Sequence, residues 1–224
     1  MAIVDVLERL GGKNEPIWLP TAWLETEMSS KVAWRQLWGT VELPFKPAEN
    51  NGVVRGKIRP LLKPVKEHKT IIFIDQLFRG IAPLDTTLWH KIESGERIKR
   101  WNKTQGKIEI DTGDKFKAYA DRVMDMLSFS KVHGILPIAS ASNRPTDRID
   151  VDIGFAMLEE GVYFYQKGHH RLGFARVLEI ELVPCRCYFA SEKAIEHVRS
   201  SLQKEKSLVE CLRVLGGQER AKRS

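Results

Sequence analysis

The chain has 224 residues, with 36 Lys plus Arg against 29 Asp plus Glu and a formal net charge of +7. Hydrophobic residues make up 42% and charged residues 29%, an ordinary globular mixture that excludes a tail too poor in apolar groups to offset chain entropy. A chain of this length buries roughly 70% or more of its unfolded surface, so one large domain, or one with a sizeable extension, needs no covalent staple.

Three cysteines, two of them in Cys185-Arg186-Cys187, form no disulfide framework and fit a reducing compartment. Met1 to Arg9 places Asp5 and Glu8 where a signal peptide needs its apolar stretch, and no run approaches the ~20 apolar residues of a membrane span. A cytoplasmic protein with no membrane partner is expected.

Residues 1–110 hold all six tryptophans and read as an N-terminal extension. Ile3, Val6, Leu7 and Leu10 form the stripe of an opening helix that Gly11-Gly12 stops. Trp18, Trp23, Trp34 and Trp38 read as core anchors more readily than as a base-stacking platform. Pro, Gly and Asn between Pro44 and Pro64 predict irregular or hairpin structure, and Thr70 to Ile74 reads as a buried strand. Two basic segments fall here. Residues 55–69 carry Arg55, Lys57, Arg59, Lys63, Lys66 and Lys69 with Glu67 as the one acid, and residues 97–107 carry Arg97, Lys99, Arg100, Lys103 and Lys107 around Trp101. Such stripes either track a phosphate backbone, which would make DNA a partner, or form a solvated surface.

Residues 111–190 form the predicted core. Asp114 is a candidate cap for a helix with Phe116, Tyr119, Val123 and Met126 or Leu127 on one face, and Gly134 lies past its end. Ile149 to Ile153 alternates apolar and acidic residues as a half-buried strand, with Asp150 and Asp152 on its polar face. Glu159-Glu160-Gly161 makes a turn and Val162 to Tyr165 a second strand. Next come Lys167-Gly168-His169-His170-Arg171, a short helix with Leu172, Ala175 and Leu178, and a strand from Leu182 to Tyr188. Residues 191–224 read as Ser191 capping one helix, a second helix through Leu208, Val209, Leu212 and Leu215, and a basic tail. These helices offer core packing or a homodimer surface.

The junction from strand through Gly168-His169-His170-Arg171 to helix carries the chemistry. Glycine admits a ligand close to the backbone, the helix's first turn favours an anion, Arg171 can grip two phosphate oxygens, and the imidazoles can donate or move a proton. Cys185 and Cys187, at i and i+2, fall short of a structural zinc set, and no metal site is expected. No P-loop, dinucleotide fingerprint or helical zinc motif is present.

The order of Ile149 to Gly154, Gly161 to Leu172, Ala175 to Leu178 and Val183 to Cys187, with the upstream exit Lys131 to Ile138, resembles the ParB/sulfiredoxin superfamily. The resemblance covers about residues 115–190. It implies an α+β fold, with a ParB/sulfiredoxin-like core flanked by the N-terminal extension and the C-terminal helices. It also implies a nucleoside triphosphate or diphosphate, such as ATP or CTP, as ligand, with Mg2+ as a candidate companion. Gly168, His169, His170 and Arg171 match the family's phosphate-binding turn. Lys167, Arg144 and Arg148 are candidate further phosphate contacts. His169 stands where sulfiredoxin has its reactive cysteine, which disfavours sulfinate reduction. Lys167 stands where many relatives have Asp, so a carboxylate partner for His169 or His170 would come from Asp150, Asp152, Glu159 or Glu160. Three functions stay open: a nucleotide-binding protein that could hydrolyse its ligand, a phosphotransferase similar to the free serine kinase, and a DNA-binding ParB-like protein or nuclease.

Overall fold

The fold is taken from a computed structural model, which describes residues 16–28, 52–54, 62–102, 106–137, 153–159, 161–165, 167–204 and 207–213. In chain order the strands and helices are β1 (Ile17–Pro20), β2 (Thr26–Met28), β3 (Gly52–Val54), β4 (Leu62–Pro64), α1 (Lys69–Phe78), α2 (Thr87–Glu93), β5 (Ile98–Asn102), β6 (Gly106–Ile110), α3 (Gly113–His133), β7 (Ile153–Leu158), β8 (Gly161–Phe164), α4 (His169–Val177), β9 (Leu182–Ser191) and α5 (Glu192–Leu202). Residues 208–213 add a last helical segment. The protein is thus a mixed α and β structure. Its described residues fall into two compact units, one drawn from Met1–Val65, Ile153–Lys167 and Pro184–Ser224, the other from Lys66–Asp152 and Gly168–Val183.

The first unit is built on a mixed sheet in the order β1-β9-β7-β8-β2-β4, with β3 also pairing with β9. The pairs β7 with β9 and β2 with β8 are parallel, whereas β7 with β8 and β2 with β4 are antiparallel. All six residues of β7 are buried, as suits a strand paired on both edges and covered on both faces. Gly154 permits a close approach there, since a Cβ would lie 2.6 Å from the Tyr165 carbonyl oxygen and 2.9 Å from the Tyr188 ring. The main chain locks this contact, because the Tyr165 N–H donates to the Gly154 carbonyl at 2.8 Å and the Gly154 N–H to the Lys167 carbonyl at 3.0 Å. Met28, Ala156, Leu158, Tyr163 and Tyr165 pack together over the sheet. Ser191 caps α5 by accepting the Ala194 N–H at 3.2 Å, as its position predicts.

The second unit packs α1, α2, α3 and α4 around aromatic side chains. Phe73 on α1 lies 5.4 Å from both Phe116 and Tyr119 on α3, and Trp89 on α2 lies 5.2 Å from Phe116. A two-stranded ribbon, β5 against β6, forms a separate sheet in this unit.

Several local expectations change. Thr70 to Ile74 is helical, not a strand. Its β-branched residues imitate a strand over five positions, but Ile71, Ile74 and Leu77 recur at spacings of three, and all are buried. Thr112, not Asp114, caps α3 and accepts the Lys115 N–H, while Asp114 sits in the first turn, where a carboxylate suits the helix dipole. Trp18 is 43% exposed while its neighbours Ile17 and Leu19 are buried, the period of a strand with one covered face. Trp23 is half-buried. Trp18 is therefore not a core anchor. The opening helix, Trp34, Trp38, Arg55, Lys57, Arg59, residues 149–152 and the basic tail lie outside the described residues. Among the described residues, no helix is long and apolar enough to cross a membrane.

Candidate functional site

The second unit brings two helix N-termini together. Gly168 is the residue before α4, and its φ of +82° lies in the left-handed region that favours glycine. That bend starts α4 with His169, His170 and Arg171 in its first turn. Further along, a Cβ on Gly173 would lie 2.6 Å from Ile74 Cδ1, so the missing side chain lets α4 lie close against α1. At the start of α1, His68 is the N-cap, its Nδ1 accepting the Thr70 N–H at 3.2 Å. The His68 and His169 rings stack with centroids 3.8 Å apart and planes 20° from parallel.

The cap has a chemical consequence. A neutral imidazole carries one proton, so a His68 that accepts at Nδ1 carries its hydrogen on Nε2 and presents a donor there. Ring nitrogens of His68 and His169 lie within 4.8 Å of one another, so the two could supply part of a cation's ligand set. A metal on His68 Nε2 would ordinarily put the proton on Nδ1 and break the cap.

His169 and His170 are consecutive on one helical turn and serve different neighbours. His170 Nε2 lies 2.7 Å from the Tyr119 hydroxyl on α3, which fixes the ring and leaves Nδ1 as the nitrogen directed away from Tyr119. Tyr119 is buried and stacks on Phe73 with planes 11° apart, so the group that orients His170 is itself held by the core. Arg171 is 2% exposed, and its guanidinium donates to the Leu136 carbonyl. Arg171 thereby ties the Gly134 to Pro137 exit of α3 to the first turn of α4.

The other predicted residues distribute as follows. Lys167 belongs to the first unit, where its ammonium lies 4.2 Å from the centroid of the Tyr188 ring, a cation–π contact. Glu159, in the same unit, accepts from Lys193 at 3.2 Å as an exposed ion pair. Arg144, Arg148, Asp150, Asp152 and Glu160 lie outside the described residues. Of the basic segment 55–69, Lys63 and Lys66 are exposed, whereas Lys69 pairs with Glu96. The Lys69 hydrogen bond holds the Glu96 carboxyl below the usual carboxylate range. The Lys115 hydrogen bond does the same for Asp111. In the first unit, burial pushes the Tyr165 hydroxyl up.

Sequence reasoning missed His68 and counted Tyr119 only as core. A signal for His68 existed, since His68-x-Thr70 precedes a helical apolar pattern once residues 70–78 are read at the longer period. Tyr119 carried none, because its hydroxyl meets His170 from 51 positions away.

In comparisons with family models, curated proteins and solved structures, none matches this chain.

Proposed function

We propose that the second unit binds the phosphate groups of a nucleoside diphosphate or triphosphate where the N-termini of α1 and α4 meet. The stacking of His68 on His169 carries this reading, because it places the starts of two helices within one ring contact of each other. Each helix N-terminus presents amide donors and about half a positive charge, and two together suit a multiply charged phosphate. Gly168 opens the main chain to close approach. The chain order of β8, the Gly-His-His-Arg turn, α4 and β9 supports the resemblance to the ParB/sulfiredoxin superfamily. Mg2+ would accompany the nucleotide through the phosphate oxygens. Arg171 acts in this account by holding the turn.

Phosphoryl transfer to a hydroxyl acceptor is the second reading, and the Tyr119–His170 pair favours it. A core hydroxyl that fixes an imidazole's orientation is the kind of support a proton-transfer group needs.

A thermal-shift panel of ATP, ADP, CTP and GTP, each with and without Mg2+, tests the binding claim. A nucleotide at 100 times its dissociation constant stabilises the fold by ~2.7 kcal/mol. One or more of the four should raise the wild-type midpoint, and His68→Ala and His169→Ala should remove that rise. A wild-type midpoint that none of them moves would sink the reading. Phosphate release with and without a small hydroxyl acceptor separates transfer from hydrolysis.

A further inference from the structure

We propose that the ribbon β5–β6 is a docking element for single-stranded nucleic acid, a function separate from the phosphate site and independent of it. In the ribbon Ile98 faces Ile110, Lys99 faces Glu109, Arg100 faces Ile108, Trp101 faces Lys107 and Asn102 faces Gly106. Ile98 and Ile110 are each 2% exposed, so their positions define the core face. Strand positions alternate between faces and directly opposed positions share one. The opposite face therefore holds the positions of Lys99, Trp101, Lys107 and Glu109.

Glu109 is the one acid of that set, and Arg97, exposed just before β5, lies 3.7 Å from its carboxylate. With that charge balanced, Lys99 and Lys107 flank the position of Trp101, one two residues along the strand and one directly across. Residues 97–107 hold five cations, Arg97, Lys99, Arg100, Lys103 and Lys107, and no acid. The complementary partner is a polyanion.

An aromatic position between two ammonium positions matches the combination by which proteins hold unpaired strands, with a base on the ring and its phosphates on the lysines. A duplex stacks its base faces away internally, so it would use the charges and leave the indole idle. An anionic lipid surface attracts lysines as well, but stable attachment there calls for an apolar face larger than one tryptophan. The chemistry favours a single strand, and DNA or RNA supplies it equally.

Fluorescence anisotropy on the full chain decides, with labelled oligothymidylate, oligouridylate, a duplex of matched length and vesicles rich in anionic lipid. Single strands should bind more tightly than the duplex or the vesicles, and a preference between the two oligonucleotides would identify the source. Trp101→Ala should weaken binding about tenfold while Trp101→Phe retains most of it. Lys99→Gln and Lys107→Gln should each flatten the plot of log affinity against log salt by about 0.7. His68→Ala should leave all of this unchanged, so the ribbon and the phosphate site fail separately. If Trp101→Ala lowers the thermal midpoint, the two lysine variants and Trp101→Phe carry the decision. The proposal is overturned if wild type binds neither strand at low salt, if vesicles or duplex compete as well as single strand, or if the lysine variants leave the salt slope unchanged.

Discussion

Arg171 illustrates how burial changes a residue's role. An arginine after Gly-His-His invites a phosphate-gripping role, but a guanidinium that is 2% exposed and bonded to the Leu136 carbonyl does its first work on the main chain. Removing it breaks that hydrogen bond and leaves a void where a side chain only 2% exposed had packed, so Arg171→Ala should lower stability by about 2 kcal/mol or more, measured by denaturant unfolding. A loss of nucleotide binding in that variant would therefore report on folding as much as on contact, and His68 and His169 are the cleaner probes. Gly154 makes a similar point in the first unit. Its absent Cβ would lie 2.6 Å from a backbone oxygen, which cannot swing aside as a side-chain end can. Gly154→Ala should cost about 1–3 kcal/mol through overpacking, and a variant as stable as wild type would show that β7 and the Tyr165 strand end have more room than described.

At the scale of elements, α1 shows where pattern reading failed. Five residues rich in β-branched side chains look like a strand, and only a window reaching Leu77 exposes the helical period. A strand has no N-cap, so a strand pattern over residues 70–74 hides the half of the candidate site that His68 contributes. The α3 helix was legible from Phe116, Tyr119 and Val123, and α4 from Gly168 onward, because their apolar spacing and glycine boundaries are local. The contact between the starts of α1 and α4 is tertiary, and no short window encodes it. The start of α1 also makes a prediction about pH. Lys69 places a cation in its first turn, against the helix dipole, and Glu96 offsets it. The folded-state pKa of Glu96 is depressed, so the pair's stabilisation is present above the ordinary carboxylate pKa and fades as pH falls through the lower folded value. Both side chains are about a third exposed, which limits the effect to less than about 1 kcal/mol. Glu96→Gln should lower stability slightly at pH 7 and not at all in strong acid; a difference that persists in acid would mean that packing, and not charge, holds the pair.

For the whole molecule, composition indicated a folded chain, while the element pattern and the family resemblance indicated a mix of α and β, which the structure shows; the net charge of +7 says little until it is placed. The start of α1 is locally balanced by Glu96, and the turn from Gly168 to Arg171 contains one buried arginine. In sequence, the surplus is densest in residues 97–107, which hold five cations and no acid. Asp150 and Asp152 were legible as an alternating pattern, yet residues 149–152 lie outside the described part, and β7 begins at Ile153 as a wholly buried strand. Such a strand shows no alternation, because both of its faces are covered. The central claim concerns His68 and His169, and side-chain 15N NMR of the histidines during titration with ADP or ATP, with Mg2+ present and absent, addresses it most directly. The account predicts that His68 starts with its proton on Nε2, and that the His68 and His169 resonances move together and saturate with the ligand. A His68 protonated on Nδ1 in the ligand-free protein, or resonances of both histidines that stay still throughout, would contradict it.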